Sequence, residues 1–333
     1  MNSPYLIGLG AGLASAVLFL SSATGSLLAM MLFFLAALPG FLAGLGWGWF
    51  AALISAASAS LLIAALIGPA AGLVYFSTLG LPVALLCYLA LLARPAEAQA
   101  GAAEGTPQAA SPPAIEWYPV GRIVSWATLM AGGIAALSIP LLGFDADTYR
   151  QTAKAYFDTA IVSQLPAPEG KPVNKEKLEP LIDIMIAILP ATSAMVWLTI
   201  MTTNMWAAAR IAEASGRAIR PVPNLSTMTY PRHMPLGFVA SLLLTFMPGV
   251  AGIVATGFTG AFLLAYIFMG LTVMHTLVRA SPLRPFLLAI LYLSMIFIGW
   301  IALLIAMIGL GEPVFKLRQR ALNRNQPPGQ PGA

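Results

Sequence analysis

The chain has 333 residues, of which 59% are hydrophobic and only 9% are charged, and its mean hydropathy is +0.84. About a quarter of the residues of a soluble domain are charged, so this chain lacks the polar surface that a water-soluble fold needs. Its net charge is +5, but the chain lacks the stretches of alternating basic and aromatic residues that single-stranded nucleic-acid binders have. Nucleic acid is therefore not expected as a partner. The composition predicts an all-α protein whose main partner is the lipid bilayer.

Residues 1–93 contain no Asp, Glu, Lys, Arg or His. One ionised residue at the centre of a span costs roughly 2.5–3.5 kcal/mol, and a span needs about 20 mostly apolar residues. This half therefore predicts four consecutive membrane-spanning helices, at 5–21, 26–44, 47–67 and 70–93. Small residues such as Gly8 and Gly12 predict close helix packing, because small side chains let helices approach each other in lipid.

Several predicted spans contain residues that break helices. Pro39 and Gly40 interrupt the second span, Gly80 and Pro82 the fourth, and Pro190 is expected to kink the sixth. In transporters, such breaks expose backbone polar groups at a substrate site. The alternative is a simple kink whose freed backbone groups are satisfied by neighbouring helices.

The second half of the chain begins after a Pro- and Ala-rich segment, 94–118, which we expect to be a flexible linker. Residues 119–315 predict a second transmembrane half that is interrupted by a polar insertion at 145–179. Its spans are predicted at 119–144, 181–209, 236–258, 259–278 and 285–310, so the whole bundle should have about 8–9 spans. The basic tail, 316–333, is expected to be disordered.

The polar insertion has an apolar stripe at helical spacing, and we expect one amphipathic surface helix there. The stripe consists of Tyr149, Ala153, Tyr156, Phe157, Ala160 and Ile161. Asp145 or Asp147 is expected to cap the start of this helix, and Asn174 the start of the following one.

Orientation is ambiguous by the positive-inside rule. The loop with Arg210, Arg217, Arg220 and Arg232 is expected in the cytoplasm. Three predicted spans follow, which would place the equally basic C-terminal tail outside. Either one span is miscounted or one basic cluster lies on the unexpected side.

Three polar residues within or near the spans are candidate ligand-binding groups, because ionisable groups in a membrane are often functional. Asp183 is a candidate for binding a cation or an amine, or it lies at the headgroup level and pairs with Lys175 or Lys177. His275 is either a proton relay or an interfacial histidine. Asn204 either contributes its amide to a site or forms a helix–helix hydrogen bond.

The sequence contains no pattern of residues that predicts catalysis. It has no Gly-x-Ser-x-Gly, His-Glu-x-x-His or phosphate-binding Gly-x-x-x-x-Gly-Lys motif. With two histidines and one cysteine, Cys87, a metal site is not expected. We therefore predict that the protein is not an enzyme and has no cofactor.

The C-terminal third carries a family resemblance. Its residues are Gly270-Leu271-Thr272-Val273-Met274-His275, Gly309-Leu310-Gly311-Glu312-Pro313-Val314-Phe315-Lys316-Leu317-Arg318 and Tyr230-Pro231-Arg232-His233-Met234-Pro235. These segments resemble the YybS-like family of bacterial membrane proteins (domain-of-unknown-function family 2232). The family usually has an Asp where this chain has Glu312. The family is similar in architecture to the substrate-binding S-components of energy-coupling-factor transporters, which depend on partner ATPases.

Two functions are compatible with this sequence. The resemblance and the broken helices favour a protein that binds or transports a small molecule in the manner of an S-component, with an ATPase or other membrane protein as partner. The alternative is a structural or assembly scaffold in the cell envelope that acts through the insertion and the basic loops. Both imply a multi-pass protein of the bacterial cytoplasmic (inner) membrane.

Overall fold

The computed structural model describes residues 3–95, 115–160 and 175–324, and α-helices dominate these ranges. The predicted all-α, polytopic helical bundle is confirmed. The helices are α1 (Pro4–Leu20), α2 (Leu27–Phe34), α3 (Leu38–Trp47), α4 (Trp49–Leu66), α5 (Pro69–Tyr75), α6 (Leu81–Leu91), α7 (Val120–Leu142), α8 (Ala146–Ala160), α9 (Lys175–Ala214), α10 (Met234–Leu244), α11 (Val250–Leu277), α12 (Arg284–Phe297), α13 (Ile301–Phe315) and α14 (Leu317–Arg324). Two short strands, β1 (Ala93–Pro95) and β2 (Ile115–Trp117), pair in antiparallel orientation.

Seven helical segments of the described chain are long and apolar enough to cross a bilayer. They are Pro4–Thr24, Leu27–Trp47, Trp49–Leu66, Pro69–Leu91, Val120–Leu142, Leu178–Ala214 and Val250–Leu277. Helices α12 and α13 meet the same criteria as a pair, but they are bent by 120° at the break between them. The count is therefore seven spans, or eight if this bent pair forms one.

Two predicted spans after residue 235 have the wrong boundaries. The sequence placed a boundary between Phe258 and Thr259, but α11 continues through both residues and is 28 residues long. The chain turns earlier, at Pro248 and Gly249, where Gly249 has a φ of 76°, a conformation that glycine adopts without steric cost. The predicted continuous span at 285–310 is also wrong, since the chain breaks between Phe297 and Ile301.

The described chain divides into two compact units, and α7 and α9 contribute to both. Unit 1 comprises Met1–Ala127 and Ile200–Pro223. Its centre is α4, whose buried residues are mostly alanine and serine. Glycines from the neighbouring helices contact this face directly, Gly8 and Gly12 from α1, Gly44 from α3, Gly72 from α5 and Gly80 from the turn before α6. The close packing predicted from Gly8 and Gly12 is thus present.

The ends of the predicted linker are ordered in unit 1. Ala93 pairs with Trp117 and Pro95 with Ile115, and Arg94 forms an exposed ion pair with Glu116. Residues 96–114, which make up most of the predicted linker, lie outside the described residues. The strand pair brings the end of α6 close to the start of α7, which composition alone does not predict.

Unit 2 comprises Thr128–Thr199 and Asn224–Ala333, and α11 is its central helix. Helix α13 packs antiparallel to α11, because Gly270 lies against Ile305 while Gly309 lies against Tyr266. Helix α10 packs on the same helix through the aromatic pair of Phe238 and Phe262. In contrast, α12 has no buried residue.

The predicted disordered tail begins instead with a helix, α14. The Glu312 carboxylate accepts hydrogen bonds from the backbone N–H groups of Leu317 at 3.0 Å and Arg318 at 3.2 Å, which caps the start of α14. Arg318 then donates to the carbonyl oxygens of Ser226 at 2.9 Å and Met228 at 2.8 Å. Residues 325–333 lie outside the described residues.

These bonds predict the side of the membrane on which the tail lies. Because Arg318 contacts the segment just before α10, we expect the tail on the same side of the membrane as that basic loop. The ambiguity of the positive-inside rule then disappears. Cysteines introduced at Gln319 and Thr229 should react with a membrane-impermeant thiol reagent from one side of membrane vesicles, and a cysteine at Gln151 of α8 from the other. Labelling of Gln319→Cys and Gln151→Cys from the same side of the vesicles would contradict this topology.

Candidate functional site

A cleft of about 640 Å³ opens in unit 2 between α8, the first turns of α9 and the start of α11. Its lining combines charged, hydroxyl and apolar side chains. The lining residues are Tyr149, Arg150, Gln151, Lys154, Asp183, Ile186, Ala187, Thr245, Met247, Pro248, Gly249, Gly252, Ile253 and Thr256. Concave sites of this volume with a few polar groups on apolar walls are typical of small-molecule binding.

Helix α8 forms the polar wall of the cleft, and the sequence explains its position. Asp145 caps the helix as predicted, since its Oδ1 accepts the N–H groups of Asp147 at 3.0 Å and Thr148 at 2.8 Å. The bond from the Thr148 hydroxyl lowers the pKa of the Asp145 carboxyl, and the backbone bonds add to this effect. The helix start is therefore fixed at neutral pH.

The apolar stripe of α8 anchors it to unit 2. Tyr149, Ala153 and Phe157 are buried against Ile182 and Ile186 of α9. Tyr156 is exposed, contrary to the predicted stripe, because it lies next to the seam formed by residues spaced four apart. The side chain of Ala160 and all of Ile161 lie outside the described residues. Anchoring through residues 149 and 153 directs Arg150, Gln151 and Lys154 to the cleft.

The charges of the cleft differ in how they are neutralised. Lys154 donates a hydrogen bond to Glu179, which raises the pKa of the lysine, and the negative charges of Glu179, Asp183 and Asp158 add to this effect. Neither Arg150 nor Asp183 forms an ion pair with another described residue. The cleft thus presents one cation and one anion that are exposed to solvent and form no ion pair with a described residue.

The turn between α10 and α11 forms the apolar floor. Met247, Pro248 and Ile253 supply its surface, and the hydroxyl of Thr256 is bonded back to the carbonyl oxygen of Gly252 at 2.8 Å. A Cβ atom at Gly252 would come within 2.2 Å of the Met247 carbonyl oxygen. This glycine therefore allows the turn to fold tightly against the start of α11.

Of the three candidate residues from the sequence, Asp183 lines the cleft and the other two do not. The side chains of Lys175 and Lys177, its predicted alternative partners, lie outside the described residues. His275 is half-buried near the other end of α11, with Nδ1 2.9 Å from the Leu271 carbonyl oxygen and Nε2 3.5 Å from the Tyr292 hydroxyl. At about 1.5 Å per residue, it lies roughly 28 Å along the helix from Thr256.

Asn204 acts within unit 1, at the break in the second span. Its Nδ2 donates to the carbonyl oxygens of Phe34 at 2.8 Å and Ile200 at 2.7 Å. Phe34 is the last residue of α2, so its carbonyl lacks the helical partner it would have in a continuous helix. Asn204 is 3% exposed, and its Oδ1 has no hydrogen-bond partner among the described atoms.

The break in the second predicted span is satisfied by neighbouring groups, and the fourth contains a π-helical turn. Pro39 and Gly40 lie in the first turns of α3, just after the break, and Ser15 donates to the freed carbonyl oxygen of Ala36. The Ser15 hydroxyl also lies 2.5 Å from that of Tyr75. Tyr75 precedes a π-helical turn at Phe76–Gly80, and Pro82 follows in the first turn of α6. In unit 2, α9 continues through Pro190 without interruption.

Sequence reasoning missed Arg150, Lys154 and Arg318 as residues of interest. Arg150 and Lys154 belong to the polar insertion, and their positions beside the apolar stripe are the only sequence signal that places them at the edge of its buried face. Arg318 ends one of the segments that carry the family resemblance, but the sequence indicates no role for it beyond the basic charge of the tail. Glu312 was noted only because the resembling family has an acidic residue there.

Comparison with known proteins gives one match. The sequence profile of a family described as "Predicted membrane protein (DUF2232)" matches residues 13–311. No curated protein and no solved structure matches the chain. Because the matched region covers nearly all the spans described above, this multi-pass membrane protein belongs to the DUF2232 family.

Proposed function

We propose that this protein is a non-enzymatic membrane protein that binds a small amphipathic molecule in the cleft between α8, α9 and α11. The observation that carries the proposal is the combination of an apolar floor with the unpaired charges of Arg150 and Asp183.

The position of the cleft supports a ligand that comes from the membrane. Large apolar side chains near its rim are exposed, among them Leu181, Ile184 and Phe246, and α9 and α11 are both candidate spans. Such exposure is expected where side chains face lipid, and it would be unusual at a water-facing cleft. A transport role in the manner of an S-component, with an ATPase partner in the cytoplasmic membrane of a bacterium, extends this proposal.

The test is native mass spectrometry of the full-length protein, gently solubilised from its own membrane, together with a variant whose cleft is filled. Ala187 is exposed and lines the cleft, so Ala187→Trp should occupy part of its volume. Ile184 is exposed on the same helix but does not line it, so Ile184→Trp is the matched control. We expect a reproducible small-molecule adduct in the wild type and the control, and its loss in Ala187→Trp.

An adduct of equal abundance in all three proteins, or a ligand-free protein, would contradict the proposal. The scaffold alternative is favoured by α12, whose described side chains are all at least partly accessible and include Phe286, Leu293 and Phe297. A stoichiometric protein partner and no small-molecule adduct in the same spectra would support this alternative.

A further inference from the structure

The cleft carries information about the chemical class of its ligand, and this inference rests on the function proposed above. Two walls present opposite charges, with Arg150 on α8 and Asp183 on α9. A site for a simple anion would be expected to contain cations without an acid, and a site for an amine the reverse. The arrangement here is complementary to a molecule that itself carries both charges.

The neighbouring charges do not cancel this pattern. Lys154 forms an ion pair with Glu179, and the negative charges of Asp183 and Asp158 act on it more weakly. Asp158 has a further polar or electrostatic partner. The Asp145 carboxylate accepts the hydrogen bonds that cap α8. Arg150 and Asp183 are therefore the charged residues of the described lining that form no ion pair with another described residue.

The rest of the cleft favours a ligand with an apolar portion. Met247, Pro248 and Ile253 are apolar residues of the same lining. Phe246, next to Met247 in the chain, is 82% exposed. An acyl chain that followed these residues would leave the cleft toward the exposed apolar side chains of the rim, where lipid is expected.

We propose that the cleft binds a zwitterionic phospholipid whose headgroup carries a phosphate and an ammonium group. The phosphate would accept hydrogen bonds from the Arg150 guanidinium, whose planar donors suit phosphate oxygens. The ammonium would donate to the Asp183 carboxylate, and the start of the acyl chains would lie along Met247 and Ile253. No covalent step is involved.

Binding of three probes to the full-length protein in detergent micelles tests this assignment. The probes are phosphatidylethanolamine, phosphatidylglycerol with the same acyl chains, and soluble O-phosphoethanolamine, each titrated by native mass spectrometry. We expect phosphatidylethanolamine to bind about tenfold more tightly than phosphatidylglycerol, the effect typical of one hydrogen bond between charged groups. O-phosphoethanolamine should compete only weakly, because it lacks the apolar portion.

Two charge-removing variants separate the parts of the headgroup. Asp183→Asn should abolish the preference for phosphatidylethanolamine over phosphatidylglycerol, whereas Arg150→Gln should weaken both lipids by about tenfold. Asp147→Asn and Arg284→Gln remove the same charges from unit 2 outside the cleft lining and should change neither affinity.

The outcomes distinguish this inference from the proposed function. Equal or tighter binding of phosphatidylglycerol, or an unchanged preference in Asp183→Asn, would overturn the zwitterion assignment. If Ala187→Trp still blocked the binding of phosphatidylglycerol, the cleft would remain a binding site, but for another class of lipid. If Ala187→Trp left the binding of every probe unchanged, both the proposed function and the zwitterion assignment would be overturned. Full competition by O-phosphoethanolamine would exclude a role for the acyl chains.

Discussion

Replacing Glu312 by alanine is expected to lower the free energy of unfolding by about 3–5 kcal/mol, the loss typical of a buried ion pair that is deprived of one partner. Glu312 and Arg318 side chains are 6% and 8% exposed, and Arg318 Nε lies 2.9 Å from Glu312 Oε1. Removing the carboxylate strands a buried guanidinium and uncaps α14. The measurement is equilibrium unfolding in mixed micelles.

The control for this prediction is an exposed ion pair of the same chemistry. Arg94 and Glu116 side chains are 71% and 50% exposed, and surface pairs contribute about 0–1 kcal/mol, so Glu116→Ala should have a small effect. Glu312→Asp should be intermediate, because one methylene fewer prevents the carboxylate from reaching both Arg318 and the Leu317 N–H. Similar losses for Glu116→Ala and Glu312→Ala would show that the buried pair has no special role.

The sequence reveals only part of the Glu312–Arg318 arrangement. The acid at position 312 could be noticed from a family resemblance, and the basic residues of the tail were evident. Their pairing depends on α14 folding back toward Ser226 and Met228, about ninety positions earlier in the chain. Such long-range bonds are determined by tertiary packing, which a single sequence does not reveal.

The transmembrane architecture was largely predictable, because charge and hydropathy are local properties. The charge-free region 1–93 contains four of the candidate spans, and the stripe in 145–179 corresponds to α8. The boundary at Phe258 and Thr259 was wrong because the apolar run is continuous there and has no minimum in hydropathy. Pro248 and Gly249 were visible as turn residues, but an 11-residue helix before them is too short for the span criterion.

The candidate site was only partly predictable for a related reason. Asp183 attracted attention because acids are rare in spans, and it does line the cleft. Arg150 and the Met247–Gly249 turn belong to other segments, and nothing in their local sequence indicates that they meet Asp183. Asn204 is polar and therefore evident in the sequence, but its partner is not. The carbonyl oxygen of Phe34 that it satisfies lies in a distant helix.

Replacing Gly12 by alanine is expected to destabilise unit 1 by about 1–3 kcal/mol, the usual cost of forcing an extra carbon into a packed interface. A Cβ atom at this position would lie 2.6 Å from the Ser55 carbonyl oxygen and 1.9 Å from the Ser58 hydroxyl. The hydroxyl can rotate away, but the backbone of α4 cannot yield without separating the two helices. Helices in lipid depend on such close contact, since no hydrophobic force holds them together.

Helix α1 contains its own controls for this prediction. A Cβ atom at Gly10 would meet no atom within 4 Å, so Gly10→Ala should be neutral or stabilise the helix by up to about 1 kcal/mol through its higher helix propensity. Gly8→Ala should resemble Gly12→Ala, because its Cβ would lie 2.8 Å from the Ala51 carbonyl oxygen. Thermal unfolding of the three variants in one detergent is the measurement. Equal stability of Gly10→Ala and Gly12→Ala would mean that α1 and α4 are farther apart than described, and the small-residue face of α4 would then lose its role as the centre of unit 1.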